Sequence, residues 1–414
     1  MPAFPGRSDT SSAVKREMCV ELPTCCRNNY RARFAGSQCE GDVQQRQNGA
    51  TVPVLRTPPT GCYSLDSSYA ESMRTVLQYG QERVECEVPE GNLVLVHSPA
   101  TPLEPVPDVA AAVRAALESP VGFPPLRRAL TPDDHVTIIV EENLSNLVEL
   151  LVPILEHLAE ARVRPETITV LGSHPFGADD LGDKLPEQFH RVRFLVHAPD
   201  DRKQLSYLAT TKTGRRLYLN RAAVDADQVV VLSGRGYDPR LGYSGAEGSL
   251  FPALGDEQTL AETNGLLSAA IPHDPPKGLG KEAGEAAWLL GAPFFVQVIP
   301  AKGDDAAMVL AGPADSCAEG RRQLDARWRR IVAKPAATVV ATISGDPARQ
   351  GFAELAAAAF GASRVVQAGG RIVVLSAVTP KLGPAEELLR HADSAEHALK
   401  LLNQQKPPDM AAAF

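Results

Sequence analysis

The sequence predicts an α/β protein built as two α/β domains with mostly parallel sheets and a cleft between them. Two observations predict it. Short apolar, β-branched runs alternate with segments of helical periodicity, the pattern of strands buried on both faces beneath covering helices. The alternation breaks at the Pro/Gly-rich stretch AIPHDPPKGLGKEAG (270–284) and then restarts. A chain of 414 residues is long enough for two cores. The expected division is an N-terminal domain over 73–270, a linker over 271–284 and a smaller C-terminal domain over 285–414. Two α/β domains so joined place a ligand in the cleft between them.

Residues 1–72 mix Arg, Ser, Gln, Gly and Cys without apolar periodicity. They read as a disordered tail, or as an over-extended start upstream of Met73, where domain-like sequence begins. GNLVLVH (91–97) then has an apolar core of strand length, and PDVAAAVRAALES (107–119) is an Ala-rich helix with a Pro-Asp start. HVTIIVEEN (135–143) is a strand. SNLVELLVPILEHLAEA (145–161) is a helix with Pro153 inside it. TITVLG (167–172) and RFLVH (193–197) follow as strands, and LSYLATTKTGRRLYLN (205–220) as a hairpin whose basic Lys212, Arg215 and Arg216 form a solvated face. DQVVVLSG (227–234) is a further buried strand. Beyond the linker come the strand FFVQVIP (294–300), a helix around 315–331, the strand TVVATISG (338–345), a helix around 351–361 and the strand GGRIVVLS (369–376).

Composition excludes several function classes. A net charge of −8 argues against nucleic acid, which needs a basic face. No apolar run reaches the roughly 20 residues of a membrane span, and the N-terminus lacks an apolar signal core, so the expected location is cytoplasmic. Of seven cysteines, Cys19, Cys25, Cys26, Cys39 and Cys62 lie in the first 72 residues. An odd count argues against a disulfide framework, and the absence of any C-x-x-C pair argues against zinc.

Ligands of open parallel sheets bind at the carboxyl ends of strands. That rule selects Glu141, Glu142 and Asn143, then Ser173 and His174, then Ser233, Arg235, Tyr237 and Asp238, and in the second domain Ser344 and Asp346. His174, among the small residues of GSHPFG, is either a general acid/base or a histidine capping the next helix. Glu142, His174 and Asp238 have the composition of a metal site, or are separate carboxylates around a histidine. Arg235 is either a fork for a substrate carboxylate or a rim charge. No P-loop, zincin helix or nucleophile elbow is present.

The segments SPVGFPPL (119–126), GSHP (172–175) and GYSG (242–245) stand in the order found in the nickel-dependent lactate racemase (LarA-like) family, which the chain resembles from about residue 78 to about 400. The resemblance implies a two-domain α/β fold and a site that interconverts stereoisomers of small 2-hydroxy acids. It also implies a nickel pincer nucleotide tethered to a lysine, with a histidine on the metal and two further histidines exchanging protons. The first of these matches His174. The second falls on Asp238, the tether lysine on Gly248, the nickel histidine on Asn264, and the arginine of an Asp-x-x-Arg motif on Ser145, with Glu142 at the aspartate. A family Tyr-x-x-x-Lys falls on Phe352 and Ala356. Glycine has no amine for a tether, and an amide nitrogen is a poor ligand beside imidazole. The expectation is a family scaffold without the pincer cofactor, metal or racemase activity. Its catalytic candidates are His174, Asp238 and Glu142, and its substrate-binding candidates are Arg235, Tyr237 and Ser173. The ligand is a small carboxylate or 2-hydroxy acid. The alternatives are an acid/base isomerase using His174 and an active racemase with rearranged ligands.

Overall fold

A computed structural model describes residues 18–19, 29–31, 72–94, 96, 104–141, 144–173, 178–264, 276–301, 305–405 and 407. Its centre is a six-stranded sheet. From one edge to the other run Ala306–Gly312, Phe294–Pro300, Gln228–Gly234, Val136–Val140, Ile168–Gly172 and Arg193–Val196. All neighbours are parallel except the edge strand 306–312, which is antiparallel to 294–300. The strands 136–140 and 168–172 are buried at every position, as their unbroken apolar sequences require.

Helices Val109–Glu118 and Leu147–Glu160 bury Val113, Leu117, Leu150, Leu151, Ile154, Leu155 and Leu158 over one face of this sheet. Asp108 caps the first helix by accepting from the Ala111 amide at 2.8 Å. The other face is covered by a cluster that joins Ile139, Leu171 and Val231 to Leu250, Leu254, Ala287 and Cys317.

Two expectations change here. The strand 294–300, read as the opening of the second domain, pairs through its residues 294–298 with 230–234 in the main sheet. Helix Leu279–Leu289 packs Ala287 into the same core. The Pro/Gly composition of 270–284 marks a turn-rich connection, and such composition says nothing about which strands pair on either side. GNLVLVH is not a strand among its described residues: Gly91 and Asn92 end a 3-10 turn. The local strand upstream is instead the antiparallel hairpin Ser72–Tyr79 with Glu82–Pro89.

That hairpin leads away from the main sheet. The Gly80 amide donates to Ile343 O at 2.8 Å, just past the strand Ala336–Thr342. This strand pairs in parallel with Val366–Leu375, and helix Phe352–Ser363 packs on the pair through Ala358 and Ala362. Of the first 71 residues, Met18–Cys19 pairs with Arg329 and Arg330, and Asn29–Arg31 pairs with 83–85. The expected hairpin is present as Leu205–Thr210 with Arg216–Asn220. Its Arg215 is not a solvated charge. It forms ion pairs with Glu262 and, at 2.8 Å, with Glu282, and so fastens the hairpin tip to two helices.

Among the described residues, no helix is long and apolar enough to cross a membrane.

Candidate functional site

The chain enters the sheet at 136–140, builds 168–172 and 193–196 to one side, and returns to lay 228–234 on the other. The carboxyl ends of 136–140 and 228–234 therefore flank the topological switch point, where open α/β sheets hold their ligands. A carboxylate spans it: Glu141 Oε2 accepts the Gly234 amide at 2.7 Å. Of the candidates at this edge, Glu142, Asn143 and His174 lie outside the described residues. Ser173, partly buried, follows directly on the neighbouring strand 168–172.

Past Gly234 the chain makes a small hairpin, Gly236–Asp238 with Gly242–Ser244, and then the helical turn Glu247–Leu250. Asp238 holds the hairpin's bend. Its Oδ1 accepts the amides of Arg240 at 2.7 Å and Leu241 at 2.9 Å, and its Oδ2 pairs with the Arg240 guanidinium at 3.2 Å. This carboxylate is engaged as a turn cap, the ordinary work of Asp beside a bend. Tyr237 and Tyr243 stand opposite each other across the hairpin and donate to the two oxygens of Asp325, at 2.8 and 2.9 Å. Arg329 reaches the same carboxylate at 3.1 Å.

Arg235 departs from both of its expected roles. It is neither a rim charge nor an open fork, because its side chain is 1% exposed and all three nitrogens face the protein. Its Nε donates to Gln297 at 2.7 Å. One Nη donates to the carbonyls of Ser244 and Gly245, and the other to Glu247 and the Cys317 carbonyl. Glu247 also accepts from Arg321 at 3.0 Å, and Gln297 donates onward to Ser316 at 2.9 Å. A buried guanidinium is tolerable only when its donors are met in this way. Burial, reinforced by the nearby Glu247 carboxylate, pushes the Cys317 thiol far above its ordinary range, so it is an inert thiol inside this network.

Gly248, the position matched to the tether lysine, lies in the helical turn that Arg235 and Arg321 fasten through Glu247. A β-carbon there would stand 2.9 Å from Leu241 Cδ1. The preceding Ala246 takes a positive φ of 46°, and its amide donates to Ser233 Oγ at 2.7 Å. Beside them Ser249 Oγ is buried and has no hydrogen-bond partner among the described residues. Asn264, the position matched to the nickel histidine, ends helix Glu257–Asn264. That helix is set in place from its start. Asp256 Oδ1 accepts the Thr259 amide at 2.9 Å, and buried His197 holds the Gly255 carbonyl at 2.8 Å.

Sequence reasoning did not find Gln297, Glu247, Arg321 or Asp325. One signal was available: Gln297 is a lone amide in the apolar run FFVQVIP, and a buried polar side chain mid-strand needs a partner.

Residues 79–270 match the family described as the lactate racemase N-terminal domain. No curated protein matches the sequence. Among solved structures, the lactate racemase apoprotein from Thermoanaerobacterium thermosaccharolyticum is similar over 82% of this chain and 84% of that one, with a TM-score of 0.67 and 17% identity. A crystal structure of a Thermotoga maritima protein is similar over 73% of this chain and 81% of that one, with a TM-score of 0.52 and 12% identity. At these identities the likeness is one of fold.

Proposed function

The chain is a LarA-like member of the lactate racemase family, and we propose that its switch-point crevice receives a small carboxylate or 2-hydroxy acid without a tethered nickel pincer nucleotide. The observation that carries the reading is the state of the turn at 244–248. Gly248 has no amine with which to form the tether, and a β-carbon there would require only that the end of the Leu241 side chain, at 2.9 Å, shift aside. The turn itself is fixed from within by Arg235 and Arg321 on Glu247. Asn264 adds a weak donor where the family has imidazole. With neither a tether amine at 248 nor an imidazole at 264, these residues do not fit the pincer group.

The ligand class comes from the family, and one local feature suits it. The Ser249 hydroxyl is buried beside the turn with its donor unmet, and an anion oxygen would satisfy it. Arg235 does not contribute, since its donors are engaged inside the protein. On this reading the protein is a non-racemising binder. The alternative is acid/base isomerisation by His174 with Glu142, and it predicts turnover of a chiral 2-hydroxy acid that His174→Ala abolishes.

The test is nickel content and intact mass of protein co-expressed with the enzymes that make the pincer nucleotide, followed by titration with lactate. Unmodified mass, no stoichiometric nickel and saturable lactate binding that Ser249→Ala weakens are the expected results. A covalent nucleotide adduct with nickel would overturn the proposal, and so would lactate racemisation.

A further inference from the structure

At the opposite, amino-terminal end of the parallel strands, residues 119–130 form a strap between helix 109–118 and strand 136–140. Its anchors are few and specific. The Val121 amide donates to Ala311 O at 2.8 Å, the Phe123 ring meets Phe294 edge-on at 6.2 Å, and Leu126 is 1% exposed. A further anchor is titratable: the Arg127 amide donates to Nε2 of His157 at 3.0 Å.

An imidazole nitrogen that accepts a hydrogen bond carries no proton, so the neutral ring has its hydrogen on Nδ1. That nitrogen faces Glu118 Oε1 at 3.4 Å. The charged groups around the ring come from three elements. Glu118 ends helix 109–118, Glu160 lies one turn along the ring's own helix, and Arg127 and Arg128 belong to the strap. Arg127 binds both carboxylates, Glu118 at 2.8 Å and Glu160 at 3.1 Å. Glu118, His157 and Glu160 converge within 4.8 Å, a spacing that could hold a metal ion. Coordination at Nδ1 would need the ring proton on Nε2, against the Arg127 amide, and the guanidinium already supplies the cation.

The same exclusion applies to a proton. We infer that His157 is an acid-sensitive catch for the strap: protonation of Nε2 sets two donors against each other, releases the Arg127 amide and loosens the strap around residues 126–130 from helix 147–160. The new imidazolium also competes with the Arg127 guanidinium for Glu118 and Glu160, which loosens the strap's second hold. Burial keeps the imidazole below its usual range despite the pull of Glu118 and Glu160, with Arg127 acting in the same sense as burial. The catch therefore stays shut at neutral pH and opens on acidification.

Hydrogen exchange of the whole chain, followed by mass spectrometry at about pH 7.5 and about pH 5 and corrected for intrinsic rates, tests this. Protection of peptides covering 126–130 is expected to fall about tenfold per pH unit once the ring begins to titrate, while the 168–172 strand holds. His157→Gln supplies an amide oxygen for the Arg127 N–H and cannot protonate, so its strap should stay protected. No fall in the wild type would overturn the catch, and so would an equal fall in H157Q. Should H157Q fail to fold, the ring's own NMR titration in the wild type decides. A midpoint shared with strap release supports the catch, and separate midpoints overturn it.

Discussion

Arg235 Nε and Gln297 Oε1 lie 2.7 Å apart in the core, and Gly320 is the residue whose lack of a side chain lets them meet. A β-carbon at 320 would stand 2.1 Å from Gln297 Oε1 and 3.1 Å from Arg235 Nε. Gly320→Ala should therefore cost about 2–4 kcal/mol, the sum of overpacking and a strained charged hydrogen bond. Helix propensity alone predicts the opposite sign, a gain of about 1 kcal/mol. Urea denaturation with an unchanged m-value separates the two.

Removing the guanidinium exposes a different weakness. Arg235→Met should destabilise the protein by about 3–5 kcal/mol, because Glu247 loses a buried partner and two turn carbonyls lose a donor. Adding Glu247→Gln should recover part of the loss. The recovery, read from a double-mutant cycle, measures how much of the cost was the stranded carboxylate. Strict additivity would contradict the pairing.

Cys317 should resist chemistry that its sequence gives no reason to exclude. Only a thiolate attacks iodoacetamide, and burial holds this thiol protonated well into the alkaline range. Native protein at about pH 8.5, the ordinary thiol range, should show no alkylation of the Cys317 peptide, whereas protein in denaturant should show full alkylation. Fast native labelling would mean that the Arg235 network opens.

Stability should also depend on pH through His157. The unfolded imidazole titrates near the ordinary value of about 6.5, and the folded one lower. Above the unfolded value neither state holds the proton and this contribution is flat. Below it the unfolded chain takes up a proton that the native chain refuses, so stability falls as pH drops, until the native ring also titrates. The difference in urea midpoint between wild type and His157→Gln, followed downward from about pH 8, should show that slope below about pH 6.5.

The strands were legible because burial on both faces writes itself as an uninterrupted apolar run. VTIIV, ITVLG and FFVQVIP are strands where the pattern puts them. Their partnership was not legible. Nothing local to 294–300 says that its neighbour is 228–234, some sixty residues earlier, and a turn-rich connection has the same composition as a domain linker. The site shows the same limit. A charge after a strand reads as a ligand fork, but the acceptors that engage Arg235 come from segments around 245, 297 and 317, which only the fold brings together. Arg215 likewise reads as solvated until Glu262 and Glu282 are placed beside it.

The shared carboxylate of Asp325 has one more consequence. Because Tyr237 and Tyr243 both give it their hydroxyl protons, the 236–244 hairpin and helix Asp315–Trp328 are stitched into one unit. Its two phenol groups are already donating and have no proton left to offer a guest. If the proposed ligand does reach this hairpin, the unit would sort visitors by outline and not by counting their oxygens, in the manner of a mould.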